Sequence, residues 1–206
     1  MHYKKFYIFL LILISNILFA NKDYPNLLIY GDSISAGYGM SSDKQWSVAL
    51  QEIFDVNKIK FQIINKSLSG ETTGGGLVRL KRIIEEFQPV YILLELGGND
   101  ALRGYPPLKV KQNLEAMISM AKNENVKVFL MQIKIPPNYG KRYQESFESI
   151  YSDIARDSQV ELIPFMLENV ALNSELMFRD GIHPNEKAQP LIADYVYKSL
   201  TPHLKQ

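Results

Sequence analysis

A serine hydroxyl is a weak nucleophile until a positioned base takes its proton, and that base is most often a histidine held by a carboxylate. The 206-residue sequence contains three histidines. His2 falls in an N-terminal leader-like segment and His203 in the polar tail, which leaves His183 as the candidate base. Asp180 stands three residues before it, Gly181 between them allows a tight turn, and Pro184 biases His183 away from helical geometry. Such a turn lets the carboxylate meet Nδ1 of the ring and leaves Nε2 to face a hydroxyl. The candidate hydroxyl is Ser33, which closes the segment "LLIYGDS". An apolar run that ends on Gly31-Asp32-Ser33 reads as a buried strand delivering a side chain to a loop at its C-terminal end, where open α/β sheets keep their ligands. Each motif has a plainer meaning when taken singly. Gly-Asp-Ser is a common turn, and Asp-x-x-His is often a surface pair or half of a metal site. Metal ligation is poorly supplied, because one credible histidine and no cysteine leave only carboxylates. The glycines of "SGETTGGG" precede a helical pattern and hint at a phosphate cradle, but neither G-x-G-x-x-G nor a following Gly-Lys-Ser/Thr is present.

The elements that must position these residues alternate along the chain. Short apolar runs at 26–30, 61–65, 90–96, 126–133 and 160–163 read as strands. Between them, Leu77, Leu80, Ile83, Ile84 and Phe87 recur at helical spacing, as do Tyr143, Phe147, Ile150, Tyr151 and Ile154. Residues 108–123 and 185–200 complete the set, the latter irregular in its first turn because Pro190 has no backbone N–H. Strands alternating with helices require parallel crossovers and a sheet covered on both faces. The expected fold is α/β, a three-layer α/β/α domain on a central, mainly parallel five-stranded sheet. The loops after the first four strands are rich in Gly, Ser, Asn and Pro, and in a parallel sheet they emerge at one edge.

Composition excludes several classes. With 46% apolar and 22% charged residues the chain is neither disordered nor a polytopic membrane protein, and a net charge of +1 offers no basic excess for nucleic acid. The absence of cysteine rules out a lipid anchor through Cys and any disulfide framework. Lys4 and Lys5 followed by "FYIFLLILISNILFA" read as a secretory signal peptide over residues 1–20, cut after Ala20, with residues 21–206 as one domain. An uncleaved membrane anchor is the competing reading, although the stretch is short for a bilayer span and Ser15-Asn16 interrupts it. The expectation is a periplasmic or secreted monomer with no stable membrane insertion after cleavage.

Taken together, Gly31-Asp32-Ser33, Gly70, Gly97-Gly98-Asn99-Asp100 and Asp180-x-x-His183 resemble, in order and context, the blocks of the SGNH hydrolases, also called the GDSL esterase/lipase family. The resemblance runs from about Leu27 to the C-terminus. It is strongest to the bacterial secreted arylesterase, acyl-CoA thioesterase and lysophospholipase group, through "GDSISAGYGM", "ELGGNDALRG", "MQIKIPPNYG" and "DGIHPN". It implies a flavodoxin-like fold and a secreted serine hydrolase that needs no cofactor and no metal, acting on a small-molecule acyl ester or thioester. In that scheme Ser33 is the nucleophile, His183 the base and then the acid, and Asp180 its orienting carboxylate. The oxyanion hole is made by the N–H groups of Ser33 and Gly70 and the side-chain amide of Asn99. The serine does not lie in the Gly-x-Ser-x-Gly elbow of α/β-hydrolases. Asp32 reads as a loop-stabilising residue and Asp100 as a structural cap beside Asn99. Leu102, Tyr105 and Pro106, with Ile135, Pro136 and Tyr139, are candidates for an apolar acyl-binding surface, where each buried methylene is worth about 0.8 kcal/mol. Two alternatives stay open: an acetylesterase acting on cell-envelope carbohydrate, and a non-catalytic flavodoxin-like binding module.

Overall fold

Short runs of bulky apolar residues form five strands in the computed structural model, which describes residues 24–205. These are β1 (Asn26–Gly31), β2 (Gln62–Asn65), β3 (Tyr91–Glu95), β4 (Lys127–Met131) and β5 (Glu161–Ile163). They pair in the order β2-β1-β3-β4-β5, all parallel. Successive residues of a strand point to opposite faces, and Leu27, Leu28, Ile29 and Tyr30 are all fully buried, so both faces of β1 are covered. The covering helices are α2 (Trp46–Val56) with α7 (Gln189–Leu200), and α3 (Thr73–Phe87) with α5 (Pro107–Asn123) and α6 (Lys141–Asp157). Two short helices, α1 (Ser33–Ala36) and α4 (Gly98–Leu102), sit directly beyond the ends of β1 and β3.

The strand order explains where a site can form. From β1 the chain crosses to β2 on one side, then to β3 on the other, so the loops leaving β1 and β3 diverge and open a crevice between them. Register brings Gly31 opposite Glu95, which aligns the α1 and α4 turns across that crevice. Gly97 makes the second turn sharp enough: its φ of 122° belongs to glycine, and an added Cβ would run into the Tyr151 hydroxyl.

The three-layer architecture and the positions of all five strands agree with the sequence reading, with four strands one to three residues shorter than expected and β1 one residue longer. The run 126–133 leaves the ladder after Met131, although Ile133 and Ile135 stay buried in the loop that follows. The sequence reading lacked α2, whose Trp46, Leu50 and Phe54 bury one side of the helix four residues apart. At the C-terminus a 3₁₀ turn at Glu186–Ala188 precedes α7, with Pro190 in the first turn of the helix, where its missing N–H costs no bond. The expected signal peptide at residues 1–20 lies outside the described residues. Among the described residues no helix is long and apolar enough to cross a membrane.

Candidate active site

Asp32 and Ser33 occupy the first turn beyond β1. The Asp32 carboxylate caps α1 by accepting from the Ile34 N–H at 3.1 Å, which sets Ser33 at the start of the helix and nearly buries it. From the far end of the chain, residues 177–184 fold back on themselves. Met177 and Pro184 form an antiparallel bridge, and the Phe178 N–H donates to the His183 carbonyl at 2.8 Å. At the tip Gly181 takes a φ of 68°, and one Asp180 oxygen accepts the backbone N–H groups of Ile182 and His183 at 2.9 and 3.0 Å. The other Asp180 oxygen lies 2.7 Å from His183 Nδ1, and His183 Nε2 lies 2.9 Å from the Ser33 hydroxyl. A carboxylate can only accept, so the ring proton belongs on Nδ1 and Nε2 is left to accept from Ser33. Tyr38 stacks on the imidazole with ring centroids 4.1 Å apart and covers one of its faces.

Asn99 projects from α4 and donates its amide to Asp32 Oδ2 at 3.1 Å. Asp100, beside Asn99, takes the structural role expected of it, at the start of a neighbouring helix. It reaches across to α3, where its two oxygens accept the Thr73 N–H at 2.8 Å and the Thr73 hydroxyl at 2.6 Å. Thr72 caps the same helix by accepting from the Gly75 N–H, so Gly74–Gly76 form the first turn of α3, where the protein's own side chains take the Thr73 and Gly75 N–H groups. Gly70 sits in an exposed turn with a φ of 79°, and its carbonyl accepts from Arg103 at the end of α4 at 3.3 Å.

Beneath these groups lies a carboxyl that the sequence reading missed. Glu95 ends β3 almost fully buried and accepts the Ser35 hydroxyl at 2.7 Å and, more weakly, the Asp32 N–H at 3.4 Å. Burial, and then the neighbouring Asp32 charge, hold Glu95 well above the usual carboxylate range. Burial also lifts Asp32 to about 6, although the Ile34 and Asn99 hydrogen bonds oppose the rise. Asp180 goes the other way. Its slight burial works upward, but the His183 and Ile182 N–H groups and the His183 ring together outweigh it and bring the carboxyl down to about 2. A glutamate at the end of the all-apolar run "YILLE" was the available signal.

A cavity of about 410 Å³ opens beside Ser33 and Asn99 and is walled mainly by apolar side chains. Of the residues expected to line it, Leu102, Ile135 and Pro136 do so. Tyr105, Pro106 and Tyr139 lie outside its wall. Tyr105 and Pro106 are exposed on the approach to α5, and Tyr139 braces the wall from outside through its hydroxyl on the Leu102 carbonyl at 3.2 Å. Much of the apolar wall comes instead from Phe165, Met166, Leu167 and Leu172 after β5, with Met177 and Ile182 from the histidine loop. Among the described residues no group of three or more metal-binding side chains is gathered.

Residues 29–190 match the GDSL-like lipase/acylhydrolase family. The chain is 45% identical over 185 residues to an arylesterase from Vibrio mimicus, covering 90% of this chain and 92% of the relative. It is also 45% identical to thioesterase 1/protease 1/lysophospholipase L1 of Escherichia coli K12, covering 85% and 83%. Among solved structures, the psychrotrophic esterase EstA from a Pseudoalteromonas species, inhibited by monoethylphosphonate, superposes with a TM-score of 0.84 at 42% identity. That match covers 86% of this chain and 97% of the esterase. Identity of this extent, sustained from β1 to the start of α7, means that the chain belongs to the GDSL-like lipase/acylhydrolase family.

Proposed function

We propose that this protein is a serine hydrolase that cleaves fatty-acyl esters and thioesters through an acyl-enzyme on Ser33. The observation that carries the reading is the pair of short contacts on one imidazole, 2.9 Å to Ser33 and 2.7 Å to Asp180. As the Ser33 oxygen attacks the acyl carbonyl, its proton passes to His183 Nε2, and Asp180 stabilises the imidazolium. The carbonyl oxygen gains charge and is held by the N–H groups of Ser33 and Gly70 and by Asn99. A side-chain amide carries two N–H donors, so Asn99 keeps one on Asp32 while the other serves the oxyanion. His183 then returns the proton to the departing alcohol or thiol. A water, activated by the same ring, attacks the acyl-enzyme and releases the fatty acid.

The relatives' names, arylesterase and thioesterase/lysophospholipase, support this substrate class, as does a largely apolar cavity beside the nucleophile. An acetyl group would leave most of that wall without a partner, which favours longer chains over cell-envelope acetyl sugars. A binding module would have no use for a base within reach of a serine. With residues 1–20 as a cleaved leader, the enzyme works as a monomer in the periplasm or outside the cell.

Fluorophosphonate labelling, followed by turnover of aryl esters from acetyl to palmitoyl, tests the reading. The expected outcome is labelling that Ser33→Ala abolishes, with kcat down about 10⁶-fold, and rates that rise with chain length beyond acetyl. Undiminished labelling of folded Ser33→Ala would remove the nucleophile assignment.

A further inference from the structure

The acyl cavity runs across the ends of the strands, and its charged residues are unevenly placed. Ser33 follows β1 and Asn99 follows β3, while the apolar wall continues along the loops after β4 and β5. From β1 to β5 are three interstrand steps of about 4.8 Å, so the wall reaches about 14 Å from the nucleophile's strand. At that far side two charged residues share the lining. Lys134, from the loop after β4, donates to Glu168, from the loop after β5, at 2.6 Å.

The neighbours of this pair are apolar and fixed. Ile133 and Ile135 flank Lys134 and are each 5% exposed, and Met166 and Leu167 precede Glu168 and are buried. The first loop is pinned by α6, where Gln144 donates to the Ile135 carbonyl and Glu148 accepts from the Ile135 N–H. The second is tightened by backbone bonds from Glu168 to Phe165 and from Ala171 to Leu167. Beyond the Gln132 N–H on the Ile163 carbonyl, the backbones of the two loops are not paired to each other, so the ion pair is their polar link across the cavity's rim. Its side chains are 38% and 50% exposed, so the pair is worth little as a source of stability. Its position gives it a different use.

Building on the acyl-hydrolase reading above, we propose that the Lys134–Glu168 ion pair is the charged stop of the acyl trough and sets the chain length beyond which further methylenes bring no gain. Each methylene seated on the apolar wall before the pair improves kcat/KM about fourfold, the equivalent of its burial. A longer chain meets an ammonium and a carboxylate that keep their heads in water. It must either strip that hydration or part the pair, and its added methylenes contribute nothing.

The experiment measures kcat/KM for 4-nitrophenyl esters from butanoyl to hexadecanoyl, below their aggregation concentrations. The enzymes compared are wild type, Lys134→Ala, Glu168→Ala and the exchange Lys134→Glu/Glu168→Lys. In wild type kcat/KM climbs with length and then levels. In each alanine variant the plateau moves at least two carbons longer, and the ratio of the ester just past the wild-type plateau to butanoyl rises about tenfold or more. The exchanged pair returns the plateau to its wild-type position. A plateau that stays put in both alanine variants, or variants that lose rate equally at every length, overturns the charged stop while leaving the hydrolase reading intact. A wild type that cleaves none of the esters overturns the reading itself and the stop with it.

Discussion

Two carboxyl environments flank Ser33, and they hold their protons in opposite ways. In the histidine loop Asp180 stands partly exposed and receives two backbone N–H groups and the imidazole, which keep it ionised down to about pH 2. On the other side Asp32 and Glu95 sit almost sealed at the ends of β1 and β3, and burial pushes Glu95 well above the usual carboxylate range and raises Asp32 to about 6. Residue type is nearly the same in the two places; the number of donors and the access of water differ. The exposed carboxylate keeps a charge that can compensate an imidazolium. The buried pair supplies hydrogen bonds that fix the α1 turn and aim the Asn99 amide.

If the exposed side carries the proton transfer, its removal should cost most. His183→Ala should lower kcat for ester hydrolysis about 10⁶-fold, as much as losing the serine, because neither acts without the other. A rate within tenfold of wild type would exclude His183 as the base. Asp180→Asn should cost up to about 10⁴-fold. The new amide can still accept the Ile182 and His183 N–H groups, yet its NH₂ cannot accept from Nδ1, and the ring is driven to the wrong tautomer. Loss of only a few-fold would mean that the loop backbone alone orients the ring. On the buried side Asn99→Ala should lower kcat about 10²–10³-fold with little change in KM, because the oxyanion bond strengthens only as charge develops. A raised KM at unchanged kcat would make Asn99 a substrate-positioning residue.

The same contrast explains what could be read from the chain. The histidine loop is local: Asp180, Gly181, His183 and Pro184 lie within five residues, and turn chemistry alone brings the carboxylate to the ring. The strands were legible for a similar reason, since β1 and β3 are continuous apolar runs of the kind that parallel sheets bury. Glu95 was not legible, because its role depends on facing Asp32 and Ser35 across the β1–β3 register some sixty residues away. The cavity wall divides along the same line. Leu102, Ile135 and Pro136 follow strand ends that the sequence marks with Gly-Gly-Asn and Pro-Pro, whereas "PFMLENVAL" after the three-residue β5 looks like ordinary core. Tyr139 was misplaced because an aromatic side chain near a site can brace it from outside as readily as line it, and Tyr105 because its side chain is exposed while its main-chain carbonyl accepts from the Tyr143 hydroxyl. Helix α2 escaped although Trp46, Ala49, Leu50, Ile53 and Phe54 recur at helical spacing against the core, because the exposed Val48 and Val56 blur the apolar stripe.

The smallest expected change tests the buried pair through stability. For a carboxyl whose folded value lies above its ordinary one, the folded state holds the proton more tightly than the unfolded chain does. The stabilisation is therefore complete below the ordinary value of 3.8 for Asp32 and is lost as pH rises through about 6. Glu95 contributes in the same direction, because its carboxyl is also displaced upward. A displacement of one pH unit corresponds to about 1.4 kcal/mol, and 1 kcal/mol moves Tm by about 2–4 °C in a chain of this size. Glu95→Gln keeps an oxygen to accept the Ser35 hydroxyl and the Asp32 N–H, but it cannot ionise and leaves Asp32 without a carboxylate beneath it. Its melting temperature should fall less steeply than that of wild type between pH 5 and pH 9, with the two curves diverging towards alkaline pH and the variant the more stable there. Glu95→Ala should instead melt lower at every pH, since it strands the Ser35 hydroxyl and opens a void, at a cost of about 1–3 kcal/mol. Calorimetry across that range decides the matter: a Glu95→Gln curve parallel to wild type would show that the buried carboxyl releases no proton, and the contrast with Asp180 would then rest on Asp32 alone.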